Sequence, residues 1–234
     1  LHTLKAQEAR VVDLLFIWRK LLFVARIRAM AFVKRTKVEL HIGPGFQLGK
    51  RVVVKIAPRS SVKIHFGPHC RVGEGVLLLF TAGSMWCGED VQFRRFNVVN
   101  VVGDLRLAGG NIFSFGTVIH CAEKIHLGKW TGCGEYATIV DSTHYYTEPD
   151  VCISRNTDTA PVLIGDNVFI CPRATVNRGV TVGDFVIIGP NSVVNKDIER
   201  GMFVSGVPAK PIRPIDLPWD DPGRVVEAIL AEAN

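Results

Sequence analysis

Aliphatic residues recur at every sixth position through residues 164–199, and this spacing predicts the fold. The aliphatic positions are Ile164, Ile170, Val176, Val182, Ile188 and Val194. Four places after each of them stands a small or β-branched residue, namely Val168, Ala174, Val180, Val186, Ser192 and Ile198. An α-helix cannot use this period, because residues six apart fall on different helical faces. The pattern therefore predicts short flat strands that coil around an aliphatic interior.

The residue after each aliphatic is predicted to form a corner between strands. These residues are Gly165, Cys171, Asn177, Gly183, Gly189 and Asn195. They are small or tolerate a left-handed backbone, which suits a tight turn. Three such hexads would close one triangular turn of about 18 residues.

The same hexads occur earlier in the chain, in less regular sets. The sets are Phe66, Val72 and Leu78, then Leu107, Phe113 and Ile119, then Leu127, Cys133 and Ile139. Leu107 and Leu127 are 20 positions apart, so two additional residues are expected to bulge at a corner. The rhythm then stops over residues 140–161, which include Pro149 and Pro161. We expect a loop that leaves the solenoid, and loops of this length usually have a function.

The two ends of the chain have a helical pattern. Residues 5–35 are apolar but interrupted by charge, and no uncharged stretch reaches the ~18 residues of a membrane span. Two interpretations remain open: helices that cap the first turn, or a basic amphipathic helix on an anionic membrane. Asp221 and Pro222 begin a short amphipathic helix over 222–233. We expect a helical region at 1–37, a β-helix domain at 38–215 with the extruded loop 140–161, and a connector with a helix at 216–234.

Composition narrows the class of protein. The chain of 234 residues is 47% hydrophobic and 21% charged, which suits a soluble protein with a substantial core. Its net charge of +6 suggests an anionic partner such as a coenzyme or a membrane surface, and we expect no nucleic acid. Six cysteines without CxxC spacing disfavour a structural zinc site and indicate a reducing compartment. We expect a cytoplasmic location, at the inner face of the membrane if residues 5–35 contact lipid.

Three stretches resemble a known family. They are Ile139–His144, Pro161–Ile170 and the run from Ile188 to Arg213. With them the sequence is similar to the hexapeptide-repeat acyltransferases, in particular the maltose, galactoside, nodulation-factor and polysaccharide O-acetyltransferases. The resemblance implies a mainly β fold, a left-handed parallel β-helix of hexapeptide repeats. It also implies a homotrimer with active sites between subunits and an acyl-CoA in the groove between two β-helices.

By this resemblance His144 is the catalytic base. A sugar hydroxyl is a poor nucleophile at neutral pH, and an imidazole can take its proton as it attacks the thioester. Such a histidine needs an orienting partner, and Asp141 and Glu148 are the nearby candidates. Asp141 could equally be a turn residue.

The resemblance also suggests residues that bind the substrates. Gly189 and Ser192 match the corners along which the pantetheine arm of acetyl-CoA or another acyl-CoA runs. The candidates for contact with the coenzyme phosphates or its ring are Lys196, Lys210, Arg213 and Phe169. Family members have an acceptor-binding Asn about thirty residues before the catalytic His, and counting back from His144 gives Ser114, with Asn111 close by.

Two other functions are weighed against the transferase. The γ-class carbonic anhydrases share this architecture and bind zinc through three histidines. Here His120 and His126 follow inward aliphatics on consecutive edges of one turn, so they are expected to diverge. A β-helix without chemistry could also serve as a scaffold. The sequence favours a CoA-dependent O-acyltransferase without metal, acting on a saccharide, glycolipid or polysaccharide precursor, with acetyl as the expected acyl group.

Overall fold

The computed structural model describes residues 2–149, 152–153 and 156–217, with the side chains of the helix from Trp18 onward. In this part of the chain the helix α1 (His2–Val33) is followed by 25 strands. None of the described helical sequence combines the length and apolarity needed to cross a bilayer.

The strands follow one another around the solenoid. Those of the first four turns are β1 (Lys37–Ile42), β2 (Gln47–Leu48), β3 (Val53–Ile56), β4 (Ser61–Phe66), β5 (Arg71–Val72), β6 (Leu77–Phe80), β7 (Gly83–Cys87), β8 (Gln92–Phe93), β9 (Val98–Val101), β10 (Asp104–Leu107), β11 (Ile112–Phe113) and β12 (Val118–Cys121). The later ones are β13 (Lys124–Leu127), β14 (Gly132–Cys133), β15 (Thr138–Val140), β16 (Ser142–His144), β17 (Thr157–Thr159), β18 (Val162–Ile164), β19 (Phe169–Ile170), β20 (Thr175–Val176), β21 (Thr181–Val182), β22 (Ile187–Ile188), β23 (Val193–Val194), β24 (Met202–Gly206) and β25 (Ala209–Pro214).

Three long sheets form the walls of the solenoid. Sheet A has the order β1-β4-β7-β10-β13-β18-β21, and sheet C runs β3-β6-β9-β12-β15-β20-β23. Sheet B runs β2-β5-β8-β11-β14-β19-β22-β24-β25, and its last pair is antiparallel. The other pairings within these sheets are parallel, so the described chain makes about seven turns of a parallel β-solenoid. The predicted fold class, mainly β with a coiled hexapeptide repeat, is confirmed.

The register confirms the hexads. Ile164 pairs with Val182, and Leu107 pairs with Leu127 across the 20-residue turn. The two additional residues of that turn fall at the corner between β12 and β13. The six aliphatic positions predicted to point inward in residues 164–199 are buried, and so are the six small or β-branched positions four places later, with at most 9% of any residue exposed. The aliphatic repeat therefore forms the continuous core, as the period requires.

The corners differ from the prediction in one respect. Left-handed backbone occurs three residues after five of the six aliphatics in residues 164–199, for example at Asn167 (φ 53°) and Arg173 (φ 60°), and not at the next residue. The residue directly after the aliphatic Ile164 is Gly165, and it must be small because the next turn packs closely against it. A Cβ on Gly165 would lie 2.2 Å from Oδ1 of Asp184. Small size was predicted correctly for this corner position, but the expected left-handed backbone was wrong.

Helix α1 packs on the first turn of the solenoid. Phe23 and Ile27 are buried in the common core, and the ring centroids of Phe23 and Phe46 are 6.3 Å apart. This packing supports the capping interpretation, because it covers the otherwise open end of the core. The helical region is a single helix, which lies within the one or two predicted. The helix predicted at 222–233 lies outside the described residues.

The loop leaves the solenoid where the hexads stop. Leu127 pairs with Ile164, which is 37 positions later instead of 20, and the additional residues are extruded between β15 and β18. They are not wholly irregular, since β16 and β17 pair as a short antiparallel hairpin. We call this pair the 142–159 hairpin.

Candidate active site

The 142–159 hairpin stands at the corner between sheet C and sheet A. Its strands pair Ser142 with Thr159 and His144 with Thr157. The N–H of Ala160 donates to the carbonyl of Asp141 at 3.0 Å, which closes the base of the hairpin. Because both strands are anchored at this corner, the extruded segment begins with a defined geometry.

The His144 side chain is exposed, and its ring contacts the backbone of the opposite side of the loop. Nδ1 of His144 lies 3.0 Å from the carbonyl oxygen of Asn156. A carbonyl can only accept, so Nδ1 is the donor and carries the proton. In the neutral imidazole the lone pair is then on Nε2. The ring is thus prepared to accept a proton at Nε2.

Asp141 holds the solenoid corner next to the hairpin. Its buried carboxylate accepts hydrogen bonds from the backbone N–H groups of Ala122 (2.6 Å), Glu123 (2.8 Å) and Lys124 (2.7 Å). These are the residues of the bulged corner between β12 and β13. Burial raises the pKa of the neighbouring Cys121 thiol to about 12, and the Asp141 charge contributes. Asp141 is therefore a structural anchor of the site.

The orienting group of His144 is a backbone carbonyl, which the sequence did not suggest. Glu148 is exposed farther along the loop, and Asp141 is directed into the corner. Any residue provides a carbonyl, so no residue type at position 156 could have indicated this contact. Glu148 as a partner of His144 stays a prediction.

A cleft of about 400 Å³ lies beside the hairpin. Its lining residues are Ser142, Thr143, Asn177, Arg178 and Asn195. Arg178 also forms an ion pair with Asp158 of the hairpin at 2.7 Å. The two asparagines are neighbours on successive turns, since Val176 pairs with Val194. Their amides give the cleft both donors and acceptors for a polar ligand.

Most of the coenzyme candidates lie on or next to sheet B, which adjoins the edge of sheet C opposite the hairpin. Phe169 on β19 is 47% exposed, and Lys210 and Arg213 are exposed on β25. The guanidinium of Arg213 lies 5.7 Å from the ring centroid of Phe203. Lys196 is the exception, because it is exposed after β23 on the same corner as the hairpin.

Gly189 and Ser192 are buried at the corner after β22. Oγ of Ser192 accepts a hydrogen bond from the Gly206 N–H at 3.1 Å and lies 3.3 Å from Oγ of Ser205. These contacts fasten the β24–β25 hairpin to the solenoid. A coenzyme contact at this corner is therefore limited to backbone and to neighbouring side chains.

The acceptor candidates flank strand β11, away from the 142–159 hairpin. The buried amide of Asn111 donates to the carbonyls of Gly128 (2.7 Å) and Thr131 (3.2 Å) and accepts from the Gly109 N–H (3.0 Å). Asn111 thus joins two turns and has no surface for a sugar. Ser114 is 8% exposed on the opposite side of β11. Asn111 is therefore not part of the proposed acceptor site, and acceptor binding by Ser114 stays a prediction.

The histidines considered for zinc are distributed over different sheets. His120 lies on sheet C, with Nε2 3.2 Å from Nδ2 of Asn100, and His126 lies on sheet A. They diverge as the spacing predicts. Within residues 2–149, 152–153 and 156–217, no three His, Cys, Asp or Glu side chains are grouped so that they could hold a metal.

Comparisons with known proteins agree with the repeat. Residues 161–196 match the family model of the bacterial transferase hexapeptide (six repeats). No curated protein matches the chain. A mutant of AntD, an N-acyltransferase from Bacillus cereus, in complex with dTDP and coenzyme A is 14% identical, with 84% of this chain and 92% of that chain covered and a TM-score of 0.51.

Two further solved structures are similar to parts of this chain. AntD in complex with dTDP and 3-hydroxybutyryl-CoA is 15% identical over 84% of this chain and 92% of that chain, with a TM-score of 0.50. A galactoside acetyltransferase in complex with coenzyme A is 19% identical over 74% and 66%, with a TM-score of 0.38. Residues 161–196 thus carry the repeat described by this family model, and the solenoid shares its fold with AntD.

Proposed function

We propose that the protein is an acyl-CoA-dependent acyltransferase that acylates a hydroxyl group of a saccharide, glycolipid or polysaccharide precursor. The main support is His144, exposed on a hairpin at the point where the hexapeptide solenoid is interrupted. Its Nδ1 is bonded to a carbonyl, which leaves Nε2 to accept a proton. The match of residues 161–196 to the bacterial transferase hexapeptide supports a transferase, and the coenzyme A and 3-hydroxybutyryl-CoA bound by AntD, which has the same fold, support an acyl-CoA as the donor.

His144 acts as the general base in this proposal. Nε2 takes the proton of the acceptor hydroxyl while the oxygen attacks the thioester carbon of acetyl-CoA. The new C–O bond forms, the C–S bond breaks, and the leaving thiolate takes the proton from the imidazolium. The products are an ester and the free thiol of coenzyme A. We favour a hydroxyl over an amine because a hydroxyl must lose its proton to a base as it attacks the thioester, whereas a neutral amine attacks without a strong base.

The active unit is proposed to be a homotrimer whose subunits meet at sheet C. One register column on its outer face is apolar or threonine throughout: Val53, Leu77, Val98, Val118, Thr138, Thr175 and Val193. On the outer face of sheet A, by contrast, one register column is polar throughout: Glu39, Lys63, Ser84, Asp104 and Lys124. The 142–159 hairpin stands at one edge of sheet C, and sheet B with most coenzyme candidates adjoins the other edge, so a neighbouring subunit docked on sheet C would bring the two groups together.

Light scattering tests this assembly. Val118→Glu should shift the mass from trimer to monomer, because it buries a charge in the contact. Thr181→Glu places the same charge on sheet A and should leave the trimer intact. A monomeric wild-type protein, or equal behaviour of the two variants, would contradict the assignment of sheet C.

Peripheral membrane contact through residues 5–35 is a further part of the proposal. Among the described side chains, Trp18, Leu21 and Phe32 are exposed on the side of α1 away from the core, at 62%, 55% and 86%. Arg28 is exposed on the same side. Exposed apolar residues beside a cation suit an anionic lipid surface, which would place the protein on the inner face of the membrane.

Vesicle flotation tests the membrane contact. Wild-type protein should float with anionic vesicles, and the double variant that combines Trp18→Ser and Phe32→Ser should not. Trp130→Asn is the matched control, since Trp130 is 64% exposed on a solenoid corner. Equal flotation of both variants would exclude a role of α1.

A thiol-release assay tests the reaction. Sugar acceptors are screened with acetyl-, butyryl- and octanoyl-CoA, and the product is identified as an ester or an amide. His144→Ala should lower kcat/KM by about 100-fold or more. His69→Asn removes another exposed histidine, at a position with φ 57° that Asn tolerates, and should have little effect. Unchanged turnover in His144→Ala would refute the base, and an amide product would replace O-acylation with N-acylation.

A further inference from the structure

The outer face of sheet A has a column of stacked rings. His41, His65 and Trp86 are aligned on successive strands by the register. The ring centroids of His41 and His65 are 4.4 Å apart with 10° between the planes, and those of His65 and Trp86 are 5.6 Å apart with 16°. The rings therefore stack along the solenoid axis, and the indole of Trp86 is 42% exposed at the end of the stack.

The stack is interrupted at the next strand. Arg106 follows Trp86 in the register, and its Nε is bonded to Oδ2 of Asp104 at 2.9 Å in the neighbouring column. An imidazole returns one strand later, at His126. Strands in a sheet are spaced by about 4.8 Å, so Trp86 and His126 are separated by roughly 9.6 Å along the axis. A cavity of about 820 Å³ extends over this interruption and is lined by all four side chains.

Asp104 organises the polar side of the cavity. It accepts hydrogen bonds from Oγ of Ser84 at 2.6 Å and from Nε2 of His126 at 2.9 Å, in addition to Arg106. Burial acts to raise the pKa of Asp104, but these hydrogen bonds and the Arg106 charge outweigh it and lower the pKa, so the group is a carboxylate. Nε2 of His126 must then be the donor, which leaves Nδ1 with the lone pair in the neutral ring. The terminal guanidinium nitrogens of Arg106 can donate hydrogen bonds to a ligand in the cavity, and Nδ1 of His126 can accept one.

The charges around the cavity are balanced. Arg106 is paired with Asp104, and Nζ of Lys63 lies 3.1 Å from Oε2 of Glu39. Burial and the neighbouring His41 lower the pKa of His65, which favours its neutral form. A balanced site gives little net attraction to a phosphate or carboxylate ligand. It suits a neutral ligand that has both an apolar face and several hydroxyl groups.

We propose that this cavity binds a sugar ring of the acceptor, held between Trp86 and His126 with its hydroxyls on Arg106 and on Nδ1 of His126. The inference rests on the proposed function and specifies its substrate class: an oligosaccharide or polysaccharide, with one unit on sheet A and another at His144. A ring centred in the interruption would lie about 4.8 Å from each neighbour, within the range of stacked contacts in proteins.

The topology allows one chain of sugars to reach both places. Strand β13, which contains His126, is the direct neighbour of β18 in sheet A. Strand β18 begins at Val162, shortly after the hairpin ends at Thr159. The cavity thus lies on the sheet that the chain enters directly after leaving the 142–159 hairpin.

A glycan array in the absence of coenzyme A tests the site directly. Full-length protein should bind one or more neutral oligosaccharides, and Trp86→Ala should weaken that binding at least tenfold, whereas Trp130→Asn should not. His144→Ala should bind like wild type although its acyl transfer is slowed by about 100-fold or more. The inference is overturned if no glycan binds, if Trp86→Ala binds equally well, or if dTDP in place of sugar is the ligand that depends on Trp86.

Kinetics separate this site from the reaction centre. With an oligosaccharide acceptor, Trp86→Ala should raise KM at least tenfold relative to wild type, with kcat unchanged. A single-sugar acceptor should be acylated equally by wild type and by Trp86→Ala. Arg106→Met should have the same effect, since it removes the donor and keeps the length of the side chain. Acyl transfer without Trp86-dependent binding would refute the sheet A site alone. Trp86-dependent binding without any transfer would refute the proposed function and leave the site standing.

Discussion

Replacing Asp141 tests whether this residue builds the site or takes part in the chemistry. Its carboxylate accepts three backbone hydrogen bonds at 2.6–2.8 Å from the corner at residues 122–124. Hydrogen bonds to charged groups contribute about 1.5–3 kcal/mol each when buried. Glu123 is exposed at this corner, so water can replace part of the loss, and about 1 kcal/mol per bond is the better figure here. Asp141→Ala should therefore lower the free energy of unfolding by about 3 kcal/mol.

Asp141→Asn should lie between wild type and Asp141→Ala. The amide keeps one oxygen for the N–H groups of Glu123 and Lys124 but presents an NH₂ group toward the N–H of Ala122, where two donors cannot bond. A loss of about 1.5 kcal/mol is expected, because about half of the acceptor capacity remains. The ordering of the three proteins thus follows from the number of acceptors left at the corner.

Hydrogen exchange of the peptide 118–127, together with urea unfolding, measures both effects. A loss of 3 kcal/mol corresponds to roughly a 150-fold larger opening equilibrium, which the amides of residues 122–124 should report. Asp158→Ala is the control, because its ion pair with Arg178 is partly exposed and is worth less than about 1 kcal/mol. If Asp141→Ala retained wild-type stability and exchange but lost activity, the structural role assigned to Asp141 would be refuted and a catalytic one favoured.

Three further predictions follow from burial and charge. A thiol reagent at pH 8 should modify the exposed Cys152 first, and Cys133 only after unfolding, because burial raises the pKa of Cys133 to about 12; Cys152→Ser should remove the fast phase. Gly116→Ala should destabilise the protein by 1 kcal/mol or more in urea unfolding, since φ is 68° and the new Cβ would lie 2.6 Å from the ring of Tyr136, whereas a loss below 0.5 kcal/mol would contradict the packing. The pKa of Asp104 is lower in the folded protein than the unfolded value of about 3.9. Its carboxylate therefore stabilises the fold above about pH 3.9, and this stabilisation is lost as the pH falls through the folded pKa. Asp104→Asn should make the free energy of unfolding depend less on pH in this acidic range.

The sequence predicted the solenoid because its core is one-dimensional. Every turn places an inward apolar side chain above the one before, as Ile170 stands above Cys133 and below Ile188, so a six-residue period is sufficient to assign the interior. The outward positions follow no such rule. The stack of His65 on Trp86 could not be predicted, because the turns that bring them together are 21 residues long and differ from the later ones of 18.

The candidate site was predicted less completely, and the reason lies at the corners. A corner residue can turn its side chain outward or back onto the previous turn, and the hexads do not distinguish the two. Asn177 and Asn195 turn toward the cleft, whereas Asp141 and Asn111 turn inward and satisfy backbone groups. Buried backbone donors must find partners, so polar corner residues are used for this purpose first. The bulges of the neighbouring turn decide which polar corner residues must bond to backbone groups and which can contact a ligand.

The extruded hairpin shows why a solenoid can acquire chemistry without losing stability. Ile139 still pairs with Val176 and Leu127 with Ile164, so the turns on either side stack as though residues 140–161 were a simple corner. The two ends of the insertion are already close together, and loop closure costs only about 0.6 kcal/mol for each doubling of length. The exposed His144 is then held by its own hairpin and by the Asp141 corner, not by the aliphatic core. Substitutions in the hairpin should consequently change turnover while the unfolding of the solenoid stays the same.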